Sequence, residues 1–438
     1  MPIALLLIGV LLLILLTTVV KLDAFLSFIL VAVFMGVVSG MELTAISGSI
    51  IDGMGNTLGF LAIILGFGAM LGKLISDSGA AQRISITLLN KFGKRNVIWA
   101  LTTAGFIVGV PLFYGVGFVL LVPLMFTLAY RIKLPVVFLG LPMITALSAT
   151  HCLLPPHPAP AALVEQFNAD MGTTILYGII ICIPIIVVAG PIFSRTLKKI
   201  KSNPLEAFYD KRELKDEEMP GFGISLFTAL FPVILMIAAS VTNQVVHGES
   251  LLLDIINFLG DPAMAMVLAV ILATYTLGIK QGKKVADVTF SMVEGVKSIA
   301  MILLIIGGAG ALKQILTDSG TNDYMAMLLK DVNISPILLG WGMTVAIRLS
   351  IGSATVAALT TGGIIAPLAV QSGADPNLMV LSIGAGSIFF SHVNDSGFWL
   401  FKEYFNLSIK DTIKTWSTME AILSVAGLVA VLVLDIFV

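Results

Sequence analysis

From Met171 to Ser194 the chain carries no Asp, Glu, Lys or Arg, and runs of this kind recur from its first residues to its last. About 20 largely apolar residues are what an α-helix needs to cross the hydrocarbon of a bilayer. The composition says the same of the whole chain. Only 12% of its residues are charged and 58% are hydrophobic, whereas soluble proteins carry about 25% charged residues. A larger core does not explain the deficit, because a larger soluble protein still has a surface to cover. The missing charge belongs to a surface that faces lipid.

Fourteen segments are apolar enough to be drawn as membrane helices. Before a long polar stretch they are 3–20, 24–40, 57–72, 97–113, 116–130, 134–150 and 171–193; after it, 223–246, 262–279, 297–313, 336–349, 353–370, 378–395 and 415–437. Several are short, which points to tilted, broken or re-entrant helices. The expected fold is an all-α polytopic membrane protein of about 12–14 membrane segments, with halves 1–194 and 223–438 joined by a cytoplasmic linker, 195–222. The first segment is read as a retained helix. No basic region precedes it, and Lys21 and Asp23 lead straight into a second apolar run.

Charge placement orients the segments. Lys and Arg concentrate in KKIKSNPLEAFYDKRELKDEEMP (Lys198–Pro220), at Lys73, Arg83, Lys91, Lys94 and Arg95, and at Lys280, Lys283 and Lys284. The positive-inside rule places all three in the cytoplasm. Fourteen crossings then put both termini outside, together with the loop Asp318–Asp331, which holds three Asp and one Lys. The halves also echo one another. GFGAMLGKLISDSG (Gly66–Gly79) aligns without a gap with GGAGALKQILTDSG (Gly307–Gly320), one leading into an inside loop and the other into an outside loop. Two inverted seven-segment repeats are therefore expected, the plan of secondary transporters that bind near the midplane.

Three interruptions of the apolar pattern are candidates for chemistry. In HCLLPPHPAPAAL (His151–Leu163) four prolines rule out a regular helix. Such backbone survives at membrane depth only when protein encloses it or it lines a wet cavity. The stretch is read either as a surface loop or as a hairpin tip or broken helix flanked by His151 and His157. In IFFSHVNDSGFWLFKEYF (Ile388–Phe405), Asn394 and Asp395 end an apolar run. A buried Asp must be paired, coordinated or protonated. Asp395 can bind a cation, carry a proton, hold a substrate hydroxyl, or simply cap a helix. In AIRLSIGSATVAALTTGG (Ala346–Gly363), Arg348 precedes Ser353, Thr355 and Thr360. A guanidinium fork suits a carboxylate and hydroxyls suit a polyhydroxy chain, but an Arg near a helix end also snorkels to headgroups.

Other classes find little support. Net charge is −1 with no long basic run, so no nucleic-acid partner is indicated. GFGAMLGK fails the phosphate-loop spacing because Phe67 stands where the first glycine is required, and no strand precedes it. His151, Cys152 and His157 have no further convincing zinc ligand nearby, and Cys152 and Cys182 read as small buried hydrophobes.

GFGAMLGKLISDSGAAQRI, FNADMGTTILYG, EEMPGFG, IGSATVAALTTGGI and SHVNDSGFWLFKEYFNL, in this order and spacing, resemble the gluconate permease family of proton-coupled symporters, and the resemblance runs the length of the chain. It implies uptake of gluconate or a close sugar acid with a proton, with no cofactor. Its histidine–proline tip corresponds to His151, Pro155, Pro156, His157 and Pro158, and its histidine–asparagine–aspartate run to His392, Asn394 and Asp395. The family's carboxylate in FYGVGF is replaced here by Gly115; Ala159 and Ser396 stand where glycine and proline are usual. The expected function is proton symport of gluconate, not an enzymatic one. Idonate, fructuronate, glycerate and D-serine are alternative cargoes, and an anion channel is the alternative from another class. The substrate residues are His151, His157, Arg348, Ser353, Thr355, Thr360 and Asn394; the proton residues are His157 and Asp395. The expected partners are the organic anion, the proton and the bilayer, with a homodimer as an open alternative. The expected location is a bacterial inner membrane.

Overall fold

The computed structural model describes residues 2–200, 202, 214–246, 250–320, 335–393 and 395–438. Among these residues the secondary structure is helical, without a strand. The first half contains α1 (Pro2–Ile14), α2 (Ala24–Val38), α3 (Leu43–Asp77), α4 (Ala80–Phe92), α5 (Val97–Gly109), α6 (Tyr114–Ile132), α7 (Val136–Leu153), α8 (Pro158–Phe167) and α9 (Met171–Val187). The second contains α10 (Phe222–Val245), α11 (Leu251–Gly260), α12 (Pro262–Ala273), α13 (Val285–Asp318), α14 (Pro336–Ile351), α15 (Ala354–Ser372), α16 (Pro376–Ile388), α17 (Ser396–Tyr404) and α18 (Thr418–Leu434). Helix starts are written in the sequence. Asp261–Pro262 and Asp375–Pro376 each place a capping carboxylate before a proline that fits the first turn. Asp261 accepts from Met264 N at 3.0 Å and Asp375 from Leu378 N at 2.9 Å.

α3 and α13 are far longer than their apolar cores, 57–72 and 297–313, suggest. Hydropathy loses their outer turns because polar residues interrupt them, yet some of those residues have partners across the pair. Ser49 donates to Asp318 at 2.6 Å. The two helices pack antiparallel. A Cβ on Gly53 would lie 2.5 Å from Gly310 O, so glycine is what lets the backbones touch. The matching Asp-Ser-Gly triplets have a shared job. Gly79 (φ 77°) and Gly320 (φ 70°) adopt the left-handed conformation that ends a helix.

Two pairs of expected spans are hairpins instead of crossings. α5 runs parallel beside α7, with Gly105 against Met143 and Gly109 against Leu147, and α6 returns to the start of α7. α14 likewise runs parallel beside α16. Ser382 donates to Ile337 O at 2.7 Å, Trp341 O lies near Gly386, and α15 returns to the start of α16. The length of one arm in each pair agrees with this. α5 has 13 residues and α14 has 16, which at 1.5 Å per residue fall short of a hydrocarbon core of about 30 Å. Six helices are long and apolar enough to cross, or seven with the bent pair Leu43–Gly59 and Leu61–Asp77 counted as one, among the described residues. The proline-rich stretch is a broken helix. α7 and α8 together make one apolar span of 32 residues, 89% buried across its most apolar window, whereas the span from α9 is 50% buried and faces outward along the rest.

The three Lys- and Arg-rich segments gather at one end of the bundle. Arg83 on α4 donates to Asp216 Oδ1 at 2.8 Å and to Pro220 O at 3.0 Å, and Lys283 donates to Asp77 O at 3.0 Å. Lys201, Lys211 and Arg212 of the linker, and most of the acidic loop after α13, lie outside the described residues.

Candidate functional site

The tips of both hairpins and the breaks in α7–α8 and α16–α17 meet at one cavity of about 380 Å³. Tyr114, at the start of α6, forms one wall; Ser148, His151 and Cys152, in the last turns of α7, form another. Arg348, Gly352, Ser353 and Thr355 come from the α14–α15 tip, and Asp395 and Ser396 from the start of α17. Trp416 and Glu420, at the entry to α18, complete the lining. Gly352 makes the second tip, because its φ of 80° turns the chain in a conformation other residues adopt only with strain.

Arg348 does not snorkel. It is 3% exposed, and its Nη2 donates to Asp395 Oδ2 at 2.5 Å while Nη1 donates to Gly352 O. Asp395 is both a cap and a counter-ion. Its Oδ1 accepts from Gly397 N at 3.0 Å, and its Oδ2 also accepts from the Ser391 hydroxyl. Trp416 Nε1 donates to Ser391 Oγ at 2.8 Å, which ties this pair to the base of α18. Burying two charges is costly, and here each charge is met by the other and by further hydrogen bonds.

Helix starts aim unbonded N–H groups at the same space. The first turn of any helix has donors without partners inside the helix. In α15, Ser353 Oγ accepts from Val356 N at 3.3 Å, which leaves the N–H groups of Ala354 and Thr355 beside the cavity. In α17, Asp395 takes Gly397 N, and the N–H of Ser396 remains. α6 begins at Phe113–Tyr114 with no side-chain cap. Three positive helix ends around one small cavity favour an anion.

The two histidines are arranged in series. His157 Nε2 lies 2.8 Å from Gly109 O, which can only accept, so Nε2 carries the proton. In neutral His157, Nδ1 is then an acceptor for the Nδ1–H of His151, 3.3 Å away. That leaves His151 Nε2 as an acceptor on the residue that lines the cavity. His157 is 1% exposed and stands behind His151, outside the lining. Thr360 is also elsewhere: its hydroxyl donates to Val356 O at 2.7 Å and it faces α1 and α2. Asn394 lies outside the described residues. Of the sequence candidates, His151, Arg348, Ser353, Thr355 and Asp395 are brought together.

A family model described as GntP family permease matches residues 1–437. The chain belongs to the GntP permease family. It is 49% identical to a high-affinity gluconate transporter of Escherichia coli K12 over 99% of both chains. It is 46% identical to the Gnt-II system L-idonate transporter of that organism over 99% of both, and 44% identical to a gluconate permease of Bacillus subtilis over the full length of both. Among solved structures, the YdaH transporter of Alcanivorax borkumensis superposes with a TM-score of 0.68, at 16% identity over 94% of this chain and 98% of that one. MtrF of Neisseria gonorrhoeae gives 0.70 at 15% identity over 94% of each. At these identities the two share the fold. This GntP permease is thus a multi-pass membrane transport protein.

Glu420 and Tyr114 of the permease line the cavity without having been expected from the sequence. Glu420 is 3% exposed, and its Oε1 has no hydrogen-bond partner. The signal was available, since a lone carboxylate in an apolar span is costly and marks function. Tyr114 carried no such signal; its Oη and the Nε of Arg348 are likewise buried without partners at this cavity. At Gly115 a Cβ would meet nothing within 4 Å, so the glycine is not imposed by crowding.

Proposed function

We propose that this permease is a secondary active symporter that takes up gluconate with a proton by alternating access, in the inner membrane of a bacterium, with its basic segments in the cytoplasm. The observation that carries this reading is the cavity, where free N–H groups at three helix starts stand opposite neutral hydrogen-bonding side chains. A small hydroxylated carboxylate needs both kinds of complement. The carboxylate sits at the start of α15, against the N–H groups of Ala354 and Thr355, with Arg348 Nε close by. The hydroxyl chain extends toward Thr355 Oγ1, Tyr114 Oη and His151 Nε2. His157 holds His151 in the tautomer that presents an acceptor. About 380 Å³ is at the small end of ligand pockets, in keeping with a metabolite-sized anion.

The choice of gluconate among hydroxy acids rests on the 49%-identical gluconate transporter. The 46%-identical idonate transporter favours idonate as a second cargo. Alternating access is supported by the antiparallel α3–α13 pair and by two hairpins, which suit two inverted repeats moving about a central site. The test is uptake into proteoliposomes with an imposed pH gradient, using labelled gluconate, idonate, fructuronate, glycerate and D-serine. Gluconate should accumulate above equilibrium when the gradient is applied and idonate should compete. Flux that only runs downhill would replace the symporter with an anion channel.

A further inference from the structure

We propose that Glu420 is the group that carries the co-transported proton, held as the neutral acid while the anion is bound and giving that proton to water after the anion leaves. This rests on the symport reading and names its coupling residue. Glu420 stands in the first turn of α18, 3% exposed, on the wall of the substrate cavity, with Oε1 unpartnered. An unpartnered carboxylate oxygen in a buried site is satisfied by a proton or by a donor on a guest molecule.

Asp395 and His157 are committed, and His151 keeps only Nε2 free. Both oxygens of Asp395 accept hydrogen bonds, one of them from Arg348, so that pair is electrically balanced. Both nitrogens of His157 are bonded, and His151 spends Nδ1 on His157. Position 115 has no side chain to titrate. The groups around Glu420 are Tyr114 from α6, Ser148, His151 and Cys152 from α7, Arg348 from α14, and Asp395 at the start of α17. α9 and α16, which also pack against α18, contribute no Asp, Glu, Lys, Arg or His.

Coupling follows from charge. With Arg348 and Asp395 cancelling, an incoming carboxylate and an ionised Glu420 would be two like charges in one small cavity. At a separation of roughly 6 Å and an effective dielectric of about 20, their repulsion weakens binding about 100-fold. A proton taken from hydronium on the open side converts Glu420 to the neutral acid and lifts that penalty. When the cavity opens to the other side and the anion leaves, the proton passes to water and the carboxylate is restored. One proton therefore accompanies one anion.

The test uses the purified full-length protein. Gluconate affinity of the wild type should fall by up to roughly tenfold per pH unit on the alkaline side of the transition, and binding in weak buffer should take up one proton. In Glu420→Gln, affinity should be flat with pH, binding should release or take up no proton, and gluconate exchange should persist without accumulation driven by a pH gradient. Accumulation retained by Glu420→Gln overturns the proposal while leaving symport intact. Absence of gradient-driven accumulation in the wild type instead overturns symport itself. Should Glu420→Gln fail to fold, the wild type treated with a hydrophobic carbodiimide, which reacts with the protonated acid, gives an independent answer. An adduct on Glu420 that gluconate modulates supports the assignment; no adduct there, or one on Asp395 alone, overturns it.

Discussion

The Arg348–Asp395 pair supports a quantitative prediction because both partners are buried, with side-chain exposures of 3% and 15% at 2.5 Å. Removing one member of a buried pair leaves the other charge uncompensated, at a cost of about 3–5 kcal/mol. Arg348→Met and Asp395→Asn should each destabilise the permease by that amount. The double variant should lose only about 1–2 kcal/mol, since no lone charge remains and Asn keeps the cap on Gly397 N. The coupling energy in the cycle is then about 4 kcal/mol or more. Reversible unfolding in mixed detergent micelles, followed by tryptophan fluorescence, measures it. Additive losses, with coupling below about 0.5 kcal/mol, would refute the pairing. The same variants locate the substrate carboxylate. If helix N–H groups hold it, the double variant keeps gluconate affinity within about tenfold. A loss of roughly 10–150-fold for gluconate and glycerate alike, in both Arg348→Met and the double variant, would instead assign the carboxylate to Arg348 directly.

Gly310→Val should separate α3 from α13, because a side chain there meets Thr57 and Gly53 O; the cost is on the order of 3 kcal/mol and shows as lost thermal stability in detergent. Ser353→Ala removes the cap of α15, should cost about 1 kcal/mol and should weaken gluconate binding, whereas Thr360→Ala, away from the cavity, should leave binding unchanged in equilibrium dialysis. His157→Ala should weaken gluconate binding in the same assay by less than His151→Ala, because His157 acts through its neighbour; a larger effect would place His157 on the substrate itself. A cysteine replacing exposed Lys199 should react with an impermeant maleimide in inside-out vesicles and not in intact cells, with little background from buried Cys152 and Cys182; labelling from outside would reverse the orientation.

How much of this was legible in the chain differs from residue to residue. Apolar runs without charge, the Asp-Pro helix starts and the prolines after His151 are local statements, and local physics reads them: hydrophobic length, capping and a missing N–H. That is why the helical membrane class and the interrupted helices at 151–158 and 352–353 could be foreseen. Whether a short apolar run crosses or turns back is a different matter. α5 with α6 and α14 with α15 look like four spans in a hydropathy window, and only packing beside α7 and α16 makes them hairpins. Arg348 and Asp395 are 47 residues apart in sequence, and nothing local tells a guanidinium whether it will meet a headgroup, a substrate or a carboxylate. Glu420 was visible as a charge in an apolar run, yet its place opposite Tyr114 depends on how α18 crosses the two tips. The sequence by itself determined the solvent each segment prefers and where helices must stop. Which stops face one another was decided by the tertiary structure, because burial and electrostatic pairing are properties of the space between helices.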